Sequence, residues 1–600
     1  MKLTTKSMAR WGITLALCAL GDIAEAQGFF DPDQRYYVSQ SEWQTRMAML
    51  RVFMMIGSTL FGFCIGWFFS DEAKELRRTL MIFAAIAAVL LALFNHGALG
   101  WSTAWVIAVA GFFWGIGHWL GRGVRRLFET PTTFGSAKWA NFDHMVDNEL
   151  IGTDGIVLGS VSDDEDDYRF SYKGVRHLFT YAPTRSGKGV SHIVTNLLRY
   201  LGSVLVIDPK GENLTITAKA RQDMGQKVLA VDPWDVAATD AGLKPARINP
   251  MDWIQLTDQD APENAMLLAD SIIQANDKGD PFWQQEAKAV IQGMILLVAF
   301  DATYNGKRTL GTVRDLLLLT GDDQIALFEH MANSPHALIA STGARCLQKD
   351  PKLMSSVMAS AQAETHMLDS QRLRDALSVS DFDFADLKTK PMSIFIILPA
   401  DRLEAFSRFL RLIVQQAITV NARNIKVKPE KPVLFILDEM PALGRLAMVE
   451  QAYGLMAGFG IQIWGIAQDL CQMRRVYGED YETFIANSGA VAYFGSPDKT
   501  STEYFSAMCG VTTVWNMSSA VATAVSSSSG ANGGSSSNSS TSTDTRAALQ
   551  RKLIFPDELR RLDEGMQLVL IENTDPIMAK KIKWFEDPEI KGKGVNTHAE

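Results

Sequence analysis

Lys188 lies near the end of the stretch Tyr181-Ala-Pro-Thr-Arg-Ser-Gly-Lys-Gly189, which leaves a short apolar strand, His177-Leu-Phe-Thr180, and enters Val190–Leu198 at helical spacing. In a Gly/Ser turn between strand and helix, successive backbone N–H groups can wrap a phosphate. The helix N-terminus adds partial positive charge, and a lysine at its start reaches the outer phosphates of a nucleotide. On this reading Thr184, Arg185, Ser186, Gly187, Lys188, Gly189 and Val190 are the candidate nucleotide-binding residues. Both ends depart from the strict phosphate-loop pattern. Ala182 stands where the first glycine belongs, and Gly189 replaces the Ser/Thr that ordinarily holds Mg²⁺. Taken alone, the stretch fits an ordinary glycine turn equally well.

A second stretch, Pro432-Val-Leu-Phe-Ile-Leu-Asp438-Glu439, is an apolar run of strand length ending in two carboxylates. It suits a buried parallel strand whose C-terminal edge meets a ligand. Asp438 can orient Mg²⁺ through water, and Glu439 can polarise an attacking water. Gln468 closes a third strand, Ile461–Ala467, where an amide can sense the γ-phosphate or align water. Two solvated acids and a capping amide would explain the pieces separately. Their conjunction, in order and each at a strand end, favours a nucleoside triphosphatase. Its catalytic candidates are Lys188, Glu439 and Gln468, and its metal candidate is Asp438.

Strands alternating with helices would hold these groups on a doubly wound α/β fold with a parallel sheet. Ser203–Ile207 runs into Asp208-Pro-Lys-Gly-Glu212, and Lys227–Val231 into Asp232-Pro-Trp234. Sheet character returns at Met392–Leu398, 432–437, Ile461–Ala467 and Ala490–Phe494. The pattern between 255 and 380 is helical, which predicts an all-α domain inserted into a sheet domain made of 127–254 and 381–576. Ser518–Thr545 has almost no bulky apolar residues and reads as a flexible loop, and 577–600 as a charged tail.

Residues 1–126 read as a membrane domain. Lys2, Lys6 and Arg10 precede an apolar Trp11–Leu20 and Ala24-Glu-Ala26, the anatomy of a cleaved signal peptide or of a weak first span. Firmer spans follow at 52–69, 79–94 and 101–120, near the ~20 residues a bilayer crossing needs. Lys74, Arg77 and Arg78 in one loop, and Arg122, Arg125 and Arg126 after the last span, contrast with Asn95–Gly100, which has neither Lys nor Arg. That bias puts the body after residue 121 on the cytoplasmic side of an inner membrane. The net charge is −9 and the acidic excess lies outside the first 120 residues. Such a body does not coat itself with nucleic acid, so any DNA must meet a local basic surface or pore. Cys18, Cys64, Cys346, Cys471 and Cys509 show no paired spacing, which excludes a disulfide framework.

Together the motifs resemble the type IV secretion system coupling proteins, in particular the TraG-type branch of conjugative coupling ATPases. The resemblance runs from about 130 to 572, through Ala182–Gly189, Asp208–Glu212, Asn249-Pro250, Asp280-Pro-Phe-Trp283, Leu437–Arg445, Ala457–Gly460, Arg551–Leu553 and Pro556–Leu559. It implies a RecA-like P-loop domain, an inserted all-α domain, N-terminal membrane spans, a homohexameric ring, and ATP and Mg²⁺ as cofactors. It further implies delivery of a relaxase–DNA complex (single-stranded DNA), effector proteins or both to a type IV secretion channel. In that scheme Lys188 binds phosphate, Asp438 holds Mg²⁺ through water, Glu439 activates water and Gln468 senses the γ-phosphate. The span count departs from the two that are frequent in the family. Competing readings are a nucleotide-binding docking receptor with little hydrolysis and a chromosome-segregation translocase. A neighbouring subunit's arginine often completes such sites. Here Arg474 or Arg475 is favoured over Arg445.

Overall fold

The computed structural model describes residues 132–595, except 165, 256, 274–279 and 529–534 and with 515–546 by backbone alone, together with scattered residues between 41 and 117. The chain divides into two units, Met1–Pro131 and Thr132–Glu600. In the first unit, Val52, Met55 and Ala108 form a small apolar cluster, and Ser58 Oγ donates to the Ala108 carbonyl at 2.9 Å. Among the described residues no helix is long and apolar enough to cross a membrane. The expected segment 1–26 and the span 79–94 lie outside the described residues, as do parts of 52–69 and 101–120.

The second unit is built on an eleven-stranded sheet. Its strands are β1 (Ile156–Asp163), β2 (Asp166–Tyr172), β3 (His177–Tyr181), β4 (Val204–Ile207), β5 (Lys227–Val231) and β6 (Met392–Ile396). They continue with β7 (Val433–Leu437), β8 (Ile461–Ala467), β9 (Ser488–Tyr493), β12 (Met566–Ile571) and β13 (Ile577–Lys580). Between β9 and β12 the chain makes a separate hairpin of β10 (Val511–Ser528) and β11 (Ser535–Lys552). The sheet order is β2-β1-β13-β12-β9-β3-β8-β7-β4-β6-β5.

The expectation of a parallel sheet needs correcting: the sheet is mixed. From β9 to β5 every pairing is parallel, whereas β12, β13, β1 and β2 add on antiparallel. Chain length between strands decides this. A parallel neighbour needs a crossover of a dozen or more residues, and the links β1–β2 and β12–β13 are only tight turns.

Residues of the parallel strands alternate between two cores. Phe179, Leu205, Phe435 and Ile463 join one apolar cluster, and Leu178, Val204, Leu434 and Trp464 the other. This period of two across near-continuous apolar runs is what burial on both faces demands. The helices between β5 and β6 include Ala261–Ile272, Pro281–Phe300, Leu310–Leu317, Gly321–Ala332, Ala337–Gln348 and Pro351–Glu364. Their starts are set by capping. Asp280 accepts from Phe282 N (3.0 Å) and Asp350 from Lys352 N (2.9 Å), each followed by a proline whose missing N–H is no loss there. These helices share the first cluster with the sheet, so they lie on one of its faces.

Two segments differ from their sequence reading. The Ser/Gly/Asn/Thr tract, expected as a flexible loop, continues β10 and β11 in register from Val511↔Lys552 to Ser528↔Ser535. An antiparallel ladder needs only backbone partners, and the tract's Thr and Val residues favour extended backbone. The stretch after β13, expected as a charged tail, is packed. Trp584 and Ile590 are buried against Val194, Leu198, Ile216 and Ala220. Asp587 is gripped by Arg169 (2.7 Å) and Arg199 (2.9 Å), so charge that looked solvated is paired.

Candidate active site

The loop after β3 turns on two residues with left-handed backbone, Arg185 (φ 63°) and Gly187 (φ 87°). Glycine adopts that conformation freely, while a β-carbon at Arg185 makes it costly, and such strain collects at functional sites. Ser186 Oγ donates to the Pro183 carbonyl (2.7 Å) and ties the turn. The helix then opens with a π-turn, Gly189–Ile193, and continues as Val194–Leu197. Ala182, in place of the usual first glycine, has no positive φ and fits as a buried residue with its N–H on the Ala467 carbonyl (2.9 Å). Nothing lies within 4 Å of a Cβ built at Gly189, so the missing hydroxyl is not a steric necessity.

Lys188 leaves this helix start and meets the end of β7. Its Nζ lies 2.7 Å from Asp438 Oδ1 and 3.3 Å from Glu439 Oε2, with all three side chains largely buried. Burial alone would depress the ammonium, but the two carboxylates outweigh it and hold Lys188 above the ordinary lysine value. Glu439 itself sits in the left-handed region (φ 59°). Its other oxygen, Oε1, accepts from Gln468 Nε2 at 3.1 Å and from Gln472 Nε2 at 3.4 Å. Gln472 Oε1 in turn accepts from Gln468 N (3.1 Å) and fixes the strand-end residue.

The neighbouring order β3-β8-β7-β4 explains the gathering: the C-terminal ends of adjacent parallel strands converge on one edge. Lys188, Asp438, Glu439 and Gln468 are therefore together. Thr184 and Arg185 are exposed on the outer turn. The Val190 side chain packs against the cluster that holds Trp584 and Ile590, which leaves its backbone for a ligand. Asp438 Oδ1 is close to the Lys188 ammonium yet lacks a well-aligned hydrogen bond, so it keeps lone pairs for a cation. Among the described residues no group of three or more His, Cys, Asp and Glu could cage a metal. Mg²⁺ is held by one or two carboxylates plus phosphates and water, and Asp438 is the carboxylate at this strand end. Arg445 pairs with Asp480 (2.8 Å) and Arg474 with Glu479 (2.6 Å), while Arg475 is exposed.

Three residues of this region carried no assignment from sequence. Gln472 lies in the first turn of the helix Leu470–Tyr477, just after the strand end that carries Gln468, and no local spacing marks it. Lys581, beyond β13, donates from Nζ to the Ser186 carbonyl at 3.0 Å, and no local pattern announces it. Asp208, at the end of β4, is buried beside the site and accepts from Leu214 N (2.9 Å).

Burial, with Asp438 nearby, pushes the Asp208 carboxyl up to about 7. Its folded value lies above its unfolded one. The stability of the neutral form is therefore complete below the unfolded value and is lost as pH rises through 7. Asp208→Asn keeps an acceptor and removes the titration. Its melting temperature should gain on the parent by about 2 °C as pH goes from 5 to 8, roughly 2 kcal/mol over the unfolding entropy of a unit as large as Thr132–Glu600. A difference that stays constant across that range would place the titrating group elsewhere.

A family profile described as type IV secretory system conjugative DNA transfer matches residues 129–599. The conjugal transfer protein TraG of Escherichia coli is 27% identical over 467 residues, covering 72% of this chain and 71% of TraG. VirD4 of Rhizobium rhizogenes is 26% identical over 415 residues, and the alignment covers 68% of this chain but only 59% of VirD4. The plasmid coupling protein TrwB, solved with the ATP analogue ADPNP, has a TM-score of 0.55 at 16% identity, covering 76% of this chain and 96% of that one. A TrwB complex with ADP and Mg²⁺ has the same TM-score. At that identity the likeness to TrwB is one of fold, but the profile spans most of the sequence: the chain belongs to the type IV secretory system conjugative DNA transfer family.

Proposed function

We propose that this chain is a membrane-anchored coupling ATPase that delivers DNA-protein or protein substrates to a type IV secretion channel. The observation that carries the reading is the Lys188 ammonium shared between Asp438 and Glu439, with Gln468 holding the far oxygen of Glu439. Lys188 neutralises the transferring phosphates, and it exchanges its carboxylate partners for them as they enter. Glu439 polarises the attacking water and accepts its proton. Gln468 orients Glu439 and reads the γ-phosphate. Asp438 would hold Mg²⁺ through water, and the ion would supply neutralisation of the phosphate charge. Thr184 to Val190 wrap the phosphates through their backbone, and a ring places Arg474 or Arg475 of one subunit near the site of the next. The cargo is relaxase-bound single-stranded DNA, effector protein or both.

The full chain in detergent should hydrolyse ATP, with turnover raised by single-stranded DNA, and its loss from cells should abolish conjugative transfer. The competing docking-receptor reading draws on Gly189, whose missing hydroxyl removes the usual direct Mg²⁺ ligand. ATP bound without measurable turnover, with or without DNA, would decide for docking.

The membrane placement rests on the charge bias of the first 126 residues. Periplasm-active reporters should respond at residues 40 and 97, and cytoplasm-active ones at 74 and 130. Periplasmic activity at 74 would overturn that orientation.

A further inference from the structure

The parallel strands begin at the edge of the sheet opposite Lys188, and that edge carries a surface of its own. Gln462 Nε2 donates to the Arg176 carbonyl (2.7 Å), which joins the starts of β8 and β3, and Glu572 N donates to the Gly489 carbonyl (2.9 Å) at the start of β9. Lys388, itself buried, donates from Nζ to the Asn424 (2.7 Å) and Phe459 (2.6 Å) carbonyls and so pins the segment that leads into β7. Lys431 in that segment donates to the Asp154 carbonyl (2.9 Å), and a Cβ built at the next residue, Gly155, would lie 3.1 Å from the Lys173 Cα. Lys173 and Lys431 thus flank one turn, with Lys426 and Lys428 following along the same edge.

Most carboxylates here are already engaged. Glu572, Asp386 and Asp381 are held by Arg176 (3.2 Å), Lys390 (2.8 Å) and Arg247 (3.2 Å). Asp154 and Glu430 are left beside the four lysines. Lys173, Lys426 and Lys428 are exposed and, among the described residues, pair with no carboxylate. Next to them Val175, Leu201 and Ile425 are 55%, 67% and 52% exposed. On a chain of net charge −9, this edge is locally basic and apolar at once.

We propose that this edge docks on an anionic lipid bilayer, its lysines on headgroup phosphates and its aliphatic side chains at the acyl boundary. The assignment rests on the membrane anchorage read from the first 126 residues and adds the surface by which the body meets lipid. The course of the chain is the first argument. Ala140 N donates to the Pro576 carbonyl (2.9 Å) and Lys138 lies 3.6 Å from Asp575, in the segment that leaves Glu572. The chain therefore enters the body at this edge. Only 12 residues separate Arg126 from Lys138, at most about 40 Å when extended, which keeps the edge within reach of the bilayer.

Side-chain chemistry is the second. A lysine near an anionic leaflet is worth about fivefold in partitioning, and several act together. Val175, Leu201 and Ile425 suit the headgroup–acyl boundary but offer no flat face on which the bases of a single strand could stack.

The test uses the full chain in nanodiscs, with the photocrosslinker p-benzoylphenylalanine placed at position 425 or, separately, at position 113 in the last predicted span. Phosphatidylglycerol discs should give lipid adducts at both positions. Phosphatidylcholine discs should give about tenfold less at 425 and as much at 113. Lys173→Gln, Lys426→Gln and Lys428→Gln together should lower the yield at 425 to the same degree in phosphatidylglycerol. No adduct at 425, or equal yields in the two lipids, would overturn the docking surface and leave the anchorage standing. No adduct at 113 would overturn the anchorage as well. Adducts at 425 that pass from lipid to an added single-stranded oligonucleotide would assign the lysines to nucleic acid instead.

Discussion

Lys188→Ala should abolish ATP turnover and weaken binding of an ATP analogue by at least about a hundredfold, near 2.8 kcal/mol. Two effects add. The phosphates lose the cation that reaches them from the loop. Asp438 and Glu439, whose side chains are only 15% and 19% exposed, lose the ammonium that lies 2.7 and 3.3 Å away. Two uncompensated carboxylates at the same strand end then repel the incoming phosphates. Removing one partner of a buried ion pair costs about 3–5 kcal/mol, so the variant should also melt well below the parent. Equilibrium binding and thermal denaturation check the two parts separately. Analogue affinity equal to the parent's would remove the phosphate loop from the scheme.

Glu439→Gln should keep ATP bound and lower turnover by roughly 10²–10⁴-fold, the usual worth of a positioned general base. The amide preserves shape and can hold the left-handed backbone at φ 59° no worse than glutamate does. It has one acceptor where the carboxylate has two. If that oxygen keeps the Gln468 donor at 3.1 Å, the new NH₂ faces Lys188, whose bond to Glu439 Oε2 is then lost. Lys188 retains Asp438 at 2.7 Å, which is why binding survives. Single-turnover measurement on pre-bound ATP separates this from a binding defect. Hydrolysis at the parent rate would assign water activation to another group.

The part of the site that was legible in the sequence is the part built on buried parallel strands. Val433–Leu437 is an unbroken apolar run whose first polar residues are Asp438 and Glu439, and Ile461–Ala467, apolar but for Gln462 and Gly465, ends at Gln468, so the strand ends mark the edge where chemistry occurs. The antiparallel half carries a weaker signal. In β2 the first three residues are exposed and the last three buried, and β13 is four residues long, too short for a pattern to declare itself. Lys581 and Asp587 failed for a different reason. Their charge reads as solvation until partners far along the chain, Ser186 and Arg199, come into view. The hairpin of β10 and β11 shows the limit of compositional reasoning, because a ladder satisfied by backbone asks little of side chains.

The late position of Lys581 sets a clock on biosynthesis. The bond from Lys581 to Ser186 closes a separation of 395 residues, and β1, which pairs with β2 at once, gains its second neighbour only when β13 exists. At about 5–20 residues per second, the loop waits roughly 20–80 s on the ribosome for the segment that covers it. Through that interval the Ser186 carbonyl stands without its Lys581 donor, and the phosphate loop is held only by its contacts within the earlier strands.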